Sequence, residues 1–270
     1  GGNYNTVVGD EAGTAITTGG FNTALGYAAL DANTTGTANH AIGTSSLTNN
    51  TTGSNNTSVG SGSLYNNTTA SNNTAVGYTA LLANTTGTRN TAVGKDAGKS
   101  ITTASENTVV GCLAGDAITT GTKNNFFGDS AGTSVTTGNY NVAIGNAALS
   151  SATTASDNTA VGQAALTSNT TGTGGTAVGK GTLDANTTGS NNSALGANAL
   201  GANTTGTANV AVGTAALEAN TTASNNTAVG FYSLLANTTG DLNVATGKDC
   251  LKRNTTGARN TSSGVYALQN

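Results

Sequence analysis

From Asn5 onward the chain repeats every seventeen residues with no insertion or deletion, and that regularity restricts its possible folds more than anything else it contains. The repeat reads Asn-Thr-Ala-Val-Gly-x-x-Ala-Leu-x-x-Asn-Thr-Thr-Gly-x-x. Its sixteen registers begin at Asn5, Asn22, Asn39, Asn56, Asn73, Asn90, Asn107, Asn124, Asn141, Asn158, Gly175, Asn192, Asn209, Asn226, Asn243 and Asn260. A globular domain tolerates changes of loop length, whereas one extra residue in a wound chain breaks the ladder from that coil to the next. The spacing predicts an all-β fold: a parallel β-solenoid (β-roll) of about sixteen coils, running as one continuous body over residues 1–270. Gly1 holds the fourteenth place of a repeat and Asn270 the eleventh, so the chain reads as a segment of a longer repetitive protein.

The composition excludes several classes. A net charge of -3 offers no basic surface to a phosphate backbone, so no nucleic-acid partner is expected. No apolar run approaches the roughly twenty residues a bilayer span needs, so no membrane span is expected in this segment. Charged residues are only 8% of the chain and Pro is absent, while 39 Gly residues recur in fixed places, a pattern unlike ordinary disorder. Cys112 and Cys250 are separated by eight coils, on the order of 38 Å at a strand spacing of about 4.8 Å, too far for a disulfide within the chain.

Each place in the repeat carries its own constraint. All 21 charged residues fall at places six, seven, ten, eleven, sixteen or seventeen, which marks these as the places facing water. All seven Tyr share them, so Tyr27, Tyr65, Tyr78, Tyr232 and Tyr266 are candidate surface-recognition residues. The fourth place holds Val8, Leu25, Ile42, Val59, Val76, Val93, Val110, Phe127, Ile144, Val161, Val178, Leu195, Val212 and Val229, breaking only at Thr246 and Ser263. These strand formers are expected to make the core stripe, with Val76 over Val93 in adjacent layers. Place five is Gly throughout, including Gly77 and Gly94, and predicts a corner that a Cβ would obstruct. Place eight is always small, implying close approach to another backbone.

Places nine and twelve exchange bulk. Leu30, Leu81, Leu166 and Leu217 at place nine go with Asn33, Asn84, Asn169 and Asn220 at place twelve; Gly13, Gly98, Gly115 and Gly132 go with Ile16, Ile101, Ile118 and Val135. Two places that trade volume in this way fill one hole. Places thirteen and fourteen are Thr-Thr, as in Thr85 and Thr86, and predict hydroxyl ladders beside ladders of Asn. One Val and one Leu per coil bury little apolar surface against the ordering of seventeen residues. Association is therefore expected, through lengthwise strips of Ala and Thr.

The run Asn72-Asn73-Thr74-Ala75-Val76-Gly77-Tyr78-Thr79-Ala80 resembles the Asn-Ser-Val-Ala-Ile-Gly-x-x-Ala repeat of the YadA-like head of trimeric autotransporter adhesins. The seventeen-residue style also resembles the repetitive shafts of phage tail-fibre proteins. The resemblance covers the first half of each coil, and the Leu-x-x-Asn-Thr-Thr half departs from the adhesin repeat. It implies a left-handed β-roll assembled as a homotrimer.

No catalytic chemistry is expected. His40 is the only His, Cys112 and Cys250 lie far from it, and Asp does not recur from coil to coil. No triad, zinc site or calcium roll follows, and no cofactor is expected. Gly60-Ser61-Gly62 is a chance match to a phosphate loop. Asn-Thr-Thr fits a glycosylation acceptor in nearly every coil, but a laddered Asn would be inaccessible. The leading reading is a structural and adhesive fibre segment, extracellular on a cell surface or virion, with a cell-surface receptor or glycan as possible partner. Sixteen coils would give a length of roughly 75 Å. The alternatives are an ice-binding protein using its Thr ladders and a self-polymerising matrix filament.

Overall fold

The computed structural model describes residues 3–269, which fall into two compact units, Gly1–Thr137 and Gly138–Asn270. Both are parallel β-solenoids with one short strand per coil, and no helix occurs among the described residues. In the first unit the strands are β1 (Thr6–Val8), β2 (Thr23–Leu25), β3 (His40–Ile42), β4 (Thr57–Val59), β5 (Thr74–Val76), β6 (Thr91–Val93), β7 (Thr108–Val110) and β8 (Asn125–Phe127). The second unit contains β9 (Val142–Ile144), β10 (Thr159–Val161), β11 (Thr176–Val178), β12 (Ser193–Leu195), β13 (Val210–Val212), β14 (Thr227–Val229), β15 (Val244–Thr246) and β16 (Thr261–Ser263). Within each unit every strand pairs in parallel with its sequence neighbours, equivalent places opposite one another. Between β5 and β6 the partners are Thr74 and Thr91, Ala75 and Ala92, Val76 and Val93, so the two valines do lie in adjacent layers.

The expected core stripe is on the wrong side of the strand. Place three is buried in every coil from Ala24 to Ser262, whereas Leu25, Ile42, Phe127, Ile144 and Leu195 at place four are exposed. Successive strand residues point to opposite faces, so only one of the two places can face inward. The interior is narrow and already holds the place-nine leucines: Leu30, Leu81 and Leu217 have no exposed surface. What remains opposite them admits Ala.

The exchange between places nine and twelve is real and includes a third partner. A Cβ added to Gly115 would lie 2.8 Å from both Ile118 Cδ1 and Val109 Cγ1. The space vacated by a place-nine leucine is thus filled from place twelve and from place three, which swells to Val109 and Phe126 in coils that carry Gly115 and Gly132. At Gly132 an added Cβ would run into the Phe126 ring.

Two ladders of amides run along each unit, the place-one ladder interrupted in the second unit at Gly175. At place one, the Asn73 backbone N–H donates to Asn56 Oδ1 at 3.0 Å, Asn73 Nδ2 donates to the Gly87 carbonyl at 2.9 Å, and Asn73 Oδ1 accepts the Asn90 N–H at 2.9 Å. At place twelve, Asn67 Nδ2 donates to Asn50 Oδ1 at 2.8 Å and to the Ala70 carbonyl at 3.0 Å. These asparagines are fully buried, and the pairing removes the cost of burying them. The place-twelve ladder ends where its pattern ends. Asn84 Oδ1 is buried with no hydrogen-bond donor, because the next coil presents Ile101 in place of an amide.

The Thr-Thr pair divides its roles. Thr85 Oγ1 donates to the Thr102 carbonyl at 3.1 Å, and the same bond recurs at Thr34, Thr51 and Thr68, whereas Thr86 at place fourteen is exposed. Only one of the two is a ladder residue.

Gly at place five is required by the backbone. Gly77 and Gly94 have φ of +138° and +137°, and a Cβ on either would lie 2.6 Å from the carbonyl carbon of the glycine in the following coil. Places seven, nine and seventeen are also left-handed but carry ordinary residues in most coils. Leu242, at φ 60° and 49% exposed, is one. A left-handed conformation costs a branched residue roughly 1–2 kcal/mol, and Asn tolerates it better. Leu242→Asn, which matches Asn55, Asn72 and Asn225 at the same place, is expected to stabilise the fold by about 1 kcal/mol, read as a raised Tm.

Candidate interaction surface

Three surfaces carry chemistry that could meet a partner. The first is the outer face of each sheet, made by places two and four. Place two is mostly Thr, with Val142, Val210 and Val244 in the second unit, and place four is Val, Leu, Ile or Phe in all but two coils. Leu25, Ile42, Phe127, Ile144, Leu195 and Val229 are between 36% and 51% exposed. The sequence contains a sign of this orientation: place three, not place four, changes volume with place nine.

The second is the ridge of variable places six, seven and ten. Place seven was expected to face water, yet Asp96 and Asp249 are only 7% and 4% exposed. Each is held by lysines on both sides. Asp96 accepts from Thr79 Oγ1 at 2.5 Å and pairs with Lys95 at 3.4 Å and Lys99 at 3.2 Å. Asp249 pairs with Lys248 at 3.2 Å and Lys252 at 2.8 Å. Burial is tolerated because the charge is matched. The Thr79 hydroxyl, helped by Lys99 and Lys95, holds the Asp96 carboxyl below the usual carboxylate range against its own desolvation. Because the folded value is depressed, its contribution is present above the unfolded value of about 3.9 and disappears as pH falls through the lower folded value. Asp96→Asn is expected to lower Tm at neutral pH, with the difference from the parent chain closing as pH falls below the usual carboxylate range, as thermal scans over pH would show. Asp116 runs the other way. Desolvation raises its carboxyl, so protonation as pH falls favours the folded state.

The third is the set of tyrosines. Tyr27, Tyr65, Tyr78 and Tyr266 are exposed and Tyr232 is half-buried. They do not converge. Tyr27 and Tyr78 share place six but stand three coils apart, and Tyr65 stands at place ten of the coil before that of Tyr78. In the second unit Tyr232 and Tyr266 flank Asp249 at place seven. Lys252 Nζ lies 4.8 Å from the Tyr232 ring centroid, and Lys248 Nζ lies 4.8 Å from that of Tyr266 and donates to its hydroxyl at 2.9 Å. Phe231 packs on Tyr232 with ring centroids 3.8 Å apart. Gly77 and Gly94 stand in consecutive corners and Leu81 lies in the interior.

This arrangement defines a tandem-repeat β-solenoid with an uncharged sheet face and a separate charged, aromatic ridge. No protein-family model matches the chain, and no curated protein matches it either.

Proposed function

We propose that this chain is a structural and adhesive fibre segment, assembled as a homotrimer and displayed outside the cell or on a virion. Its role is mechanical rather than catalytic: it separates what lies at its two ends and presents repeated surface to a receptor or glycan. The observation that supports this most directly is the ladder system. Coils within a unit are tied to their neighbours by strand pairing, by the place-one amides except at Gly175, and by the Thr hydroxyls, which suits a body that must resist bending and pulling. Repetition also multiplies weak contacts, since linked sites bind with raised effective concentration. The variable ridge, with Tyr27, Tyr65, Tyr78, Tyr232 and Tyr266, would supply recognition.

Electron microscopy of the purified chain, with sedimentation at several concentrations, tests the reading. Particles of one uniform length and a trimer mass are expected. Filaments of varied length would favour a self-polymerising matrix. Thermal hysteresis in the intact protein would favour ice binding, although the Thr pair is divided between a carbonyl-bonded and an exposed residue.

A further inference from the structure

The fibre reading requires that chains associate, and the sequence points to lengthwise strips of Ala and Thr as the surface. Those alanines are interior: Ala75, Ala80, Ala92 and Ala97 have no exposed surface. We infer that further copies of this chain pack on the outer sheet face, places two and four of each chain turned toward those of its neighbours, and the inference rests on the fibre reading only for the fact of association.

Three observations support that occupant. First, the face is uncharged in every coil. Of 21 charged residues none stands at place two or four, although on the same coils places six, ten and seventeen accept charges of both signs and place seven accepts acidic ones. Depletion of charge with exposed apolar side chains is the composition of an interface centre, and contiguous patches of this kind are rarely left open to water. Place fourteen is also uncharged, but it is Thr in every complete coil and brings its own hydroxyl to the solvent.

Second, the face has a pitch. Val76 and Val93, or Leu195 and Val212, are direct cross-strand neighbours, so apolar side chains recur at about 4.8 Å along each unit. A column of side chains interdigitates over its whole length only with another of the same pitch, and a second copy provides one. An ordinary globular partner would match a few rungs and lose register.

Third, the face is large. Eight three-residue strands give each unit, taken by itself, a footprint of about 400 Å² from the strand rise and spacing, about half of the roughly 800 Å² per partner of a standard stable interface.

The test uses the whole chain. The parent protein is expected to sediment as an oligomer, and the double variant Val76→Glu, Val93→Glu as a monomer with an unchanged circular dichroism spectrum. Burying unpaired carboxylates should raise the dissociation constant about a hundredfold or more. The control Thr86→Glu, on the exposed place fourteen, should leave the oligomer intact. A second readout does not depend on folding of the charged variant. In a Cys112→Ser, Cys250→Ser background, Val76→Cys should give an interchain disulfide on mild oxidation, and Thr86→Cys should not. An oligomer that persists in the charged variant, or that cross-links through Thr86→Cys and not Val76→Cys, would overturn the assignment of this face and leave the fibre reading standing. A parent chain that stays monomeric at all concentrations would overturn both the face and the association it rests on, while uniform particles in the microscope would still speak for a shaft.

Discussion

Gly94→Ala is expected to destabilise the first unit by about 3–5 kcal/mol, among the largest effects available to a single methyl group in this chain. The added Cβ would lie 2.6 Å from the Gly111 carbonyl carbon, with that glycine's carbonyl oxygen closer still. No side chain can swing away, since the obstruction is backbone, and relieving it means parting two coils. The conformation adds to the cost, because φ of +137° lies where residues with a Cβ are rarely found. Gly62→Ala is the matched control. Gly62 also has a positive φ, +67°, but its nearest neighbour would be Thr79 Cγ2 at 3.4 Å, an ordinary contact. Other coils place Thr, Ser or Asp there, as in Thr79, Ser45 and Asp96. Its change should be about 1 kcal/mol. Equilibrium unfolding of the two variants would separate corner from surface, and equal losses would contradict the account of place five.

A pair of compensating substitutions should restore what either alone destroys. Gly98→Leu places a side chain where an added Cβ already comes within 3.0 Å of Ile101 Cδ1 and 3.2 Å of Leu81 Cδ2 and Val109 Cγ2. Overpacking of this kind costs typically about 1–3 kcal/mol. Ile101→Asn empties the hole and loses a fully buried isoleucine, expected to cost about 2–5 kcal/mol by analogy with other large-to-small core changes. Together they recreate the Leu–Asn arrangement of Leu81 and Asn84. The new amide can donate to Asn84 Oδ1, which lacks a donor in the native chain. The double variant should therefore be more stable than the sum of the single effects by about 2–3 kcal/mol, the upper part of the range seen for residues in direct contact. Additivity in such a cycle would mean that the two places do not share one space.

How much of this was legible beforehand depended on whether a position is constrained by its own chemistry or by what surrounds it. The coil length, the parallel in-register stacking and the glycine corner could be read because any departure would show as a broken period. The trade between Leu81 with Asn84 and Gly98 with Ile101 could be read because volume must balance in a closed interior. The direction of the strand could not be taken from hydrophobicity alone. Val76 looks like a core residue, and in an isolated coil nothing distinguishes it from one; the decisive fact is that Leu81 already occupies the space that Ala75 faces. The same limit applies to Asp96. Charge predicts exposure only when the charge is unmatched, and Lys95 and Lys99 match it. Lys248, Asp249 and Lys252 repeat within one coil the spacing of Lys95, Asp96 and Lys99, but the addition of Tyr232 and Tyr266 to that group arises from stacking distinct coils.

The place-twelve amides have a practical consequence for how the protein is made. Asn67 uses both of its amide hydrogens, one on Asn50 and one on the Ala70 carbonyl, and linkage to a sugar would leave the nitrogen with a single hydrogen. In a eukaryotic secretory host, transferase would reach each Asn-Thr-Thr tripeptide on the emerging chain before winding is complete. A modified rung could then neither hold both acceptors nor fit a bulky branch into a sealed interior. Bacterial cytoplasmic production avoids that competition. Comparing yields from the two hosts, with and without an inhibitor of glycan transfer, would measure how fast the winding outruns the enzyme.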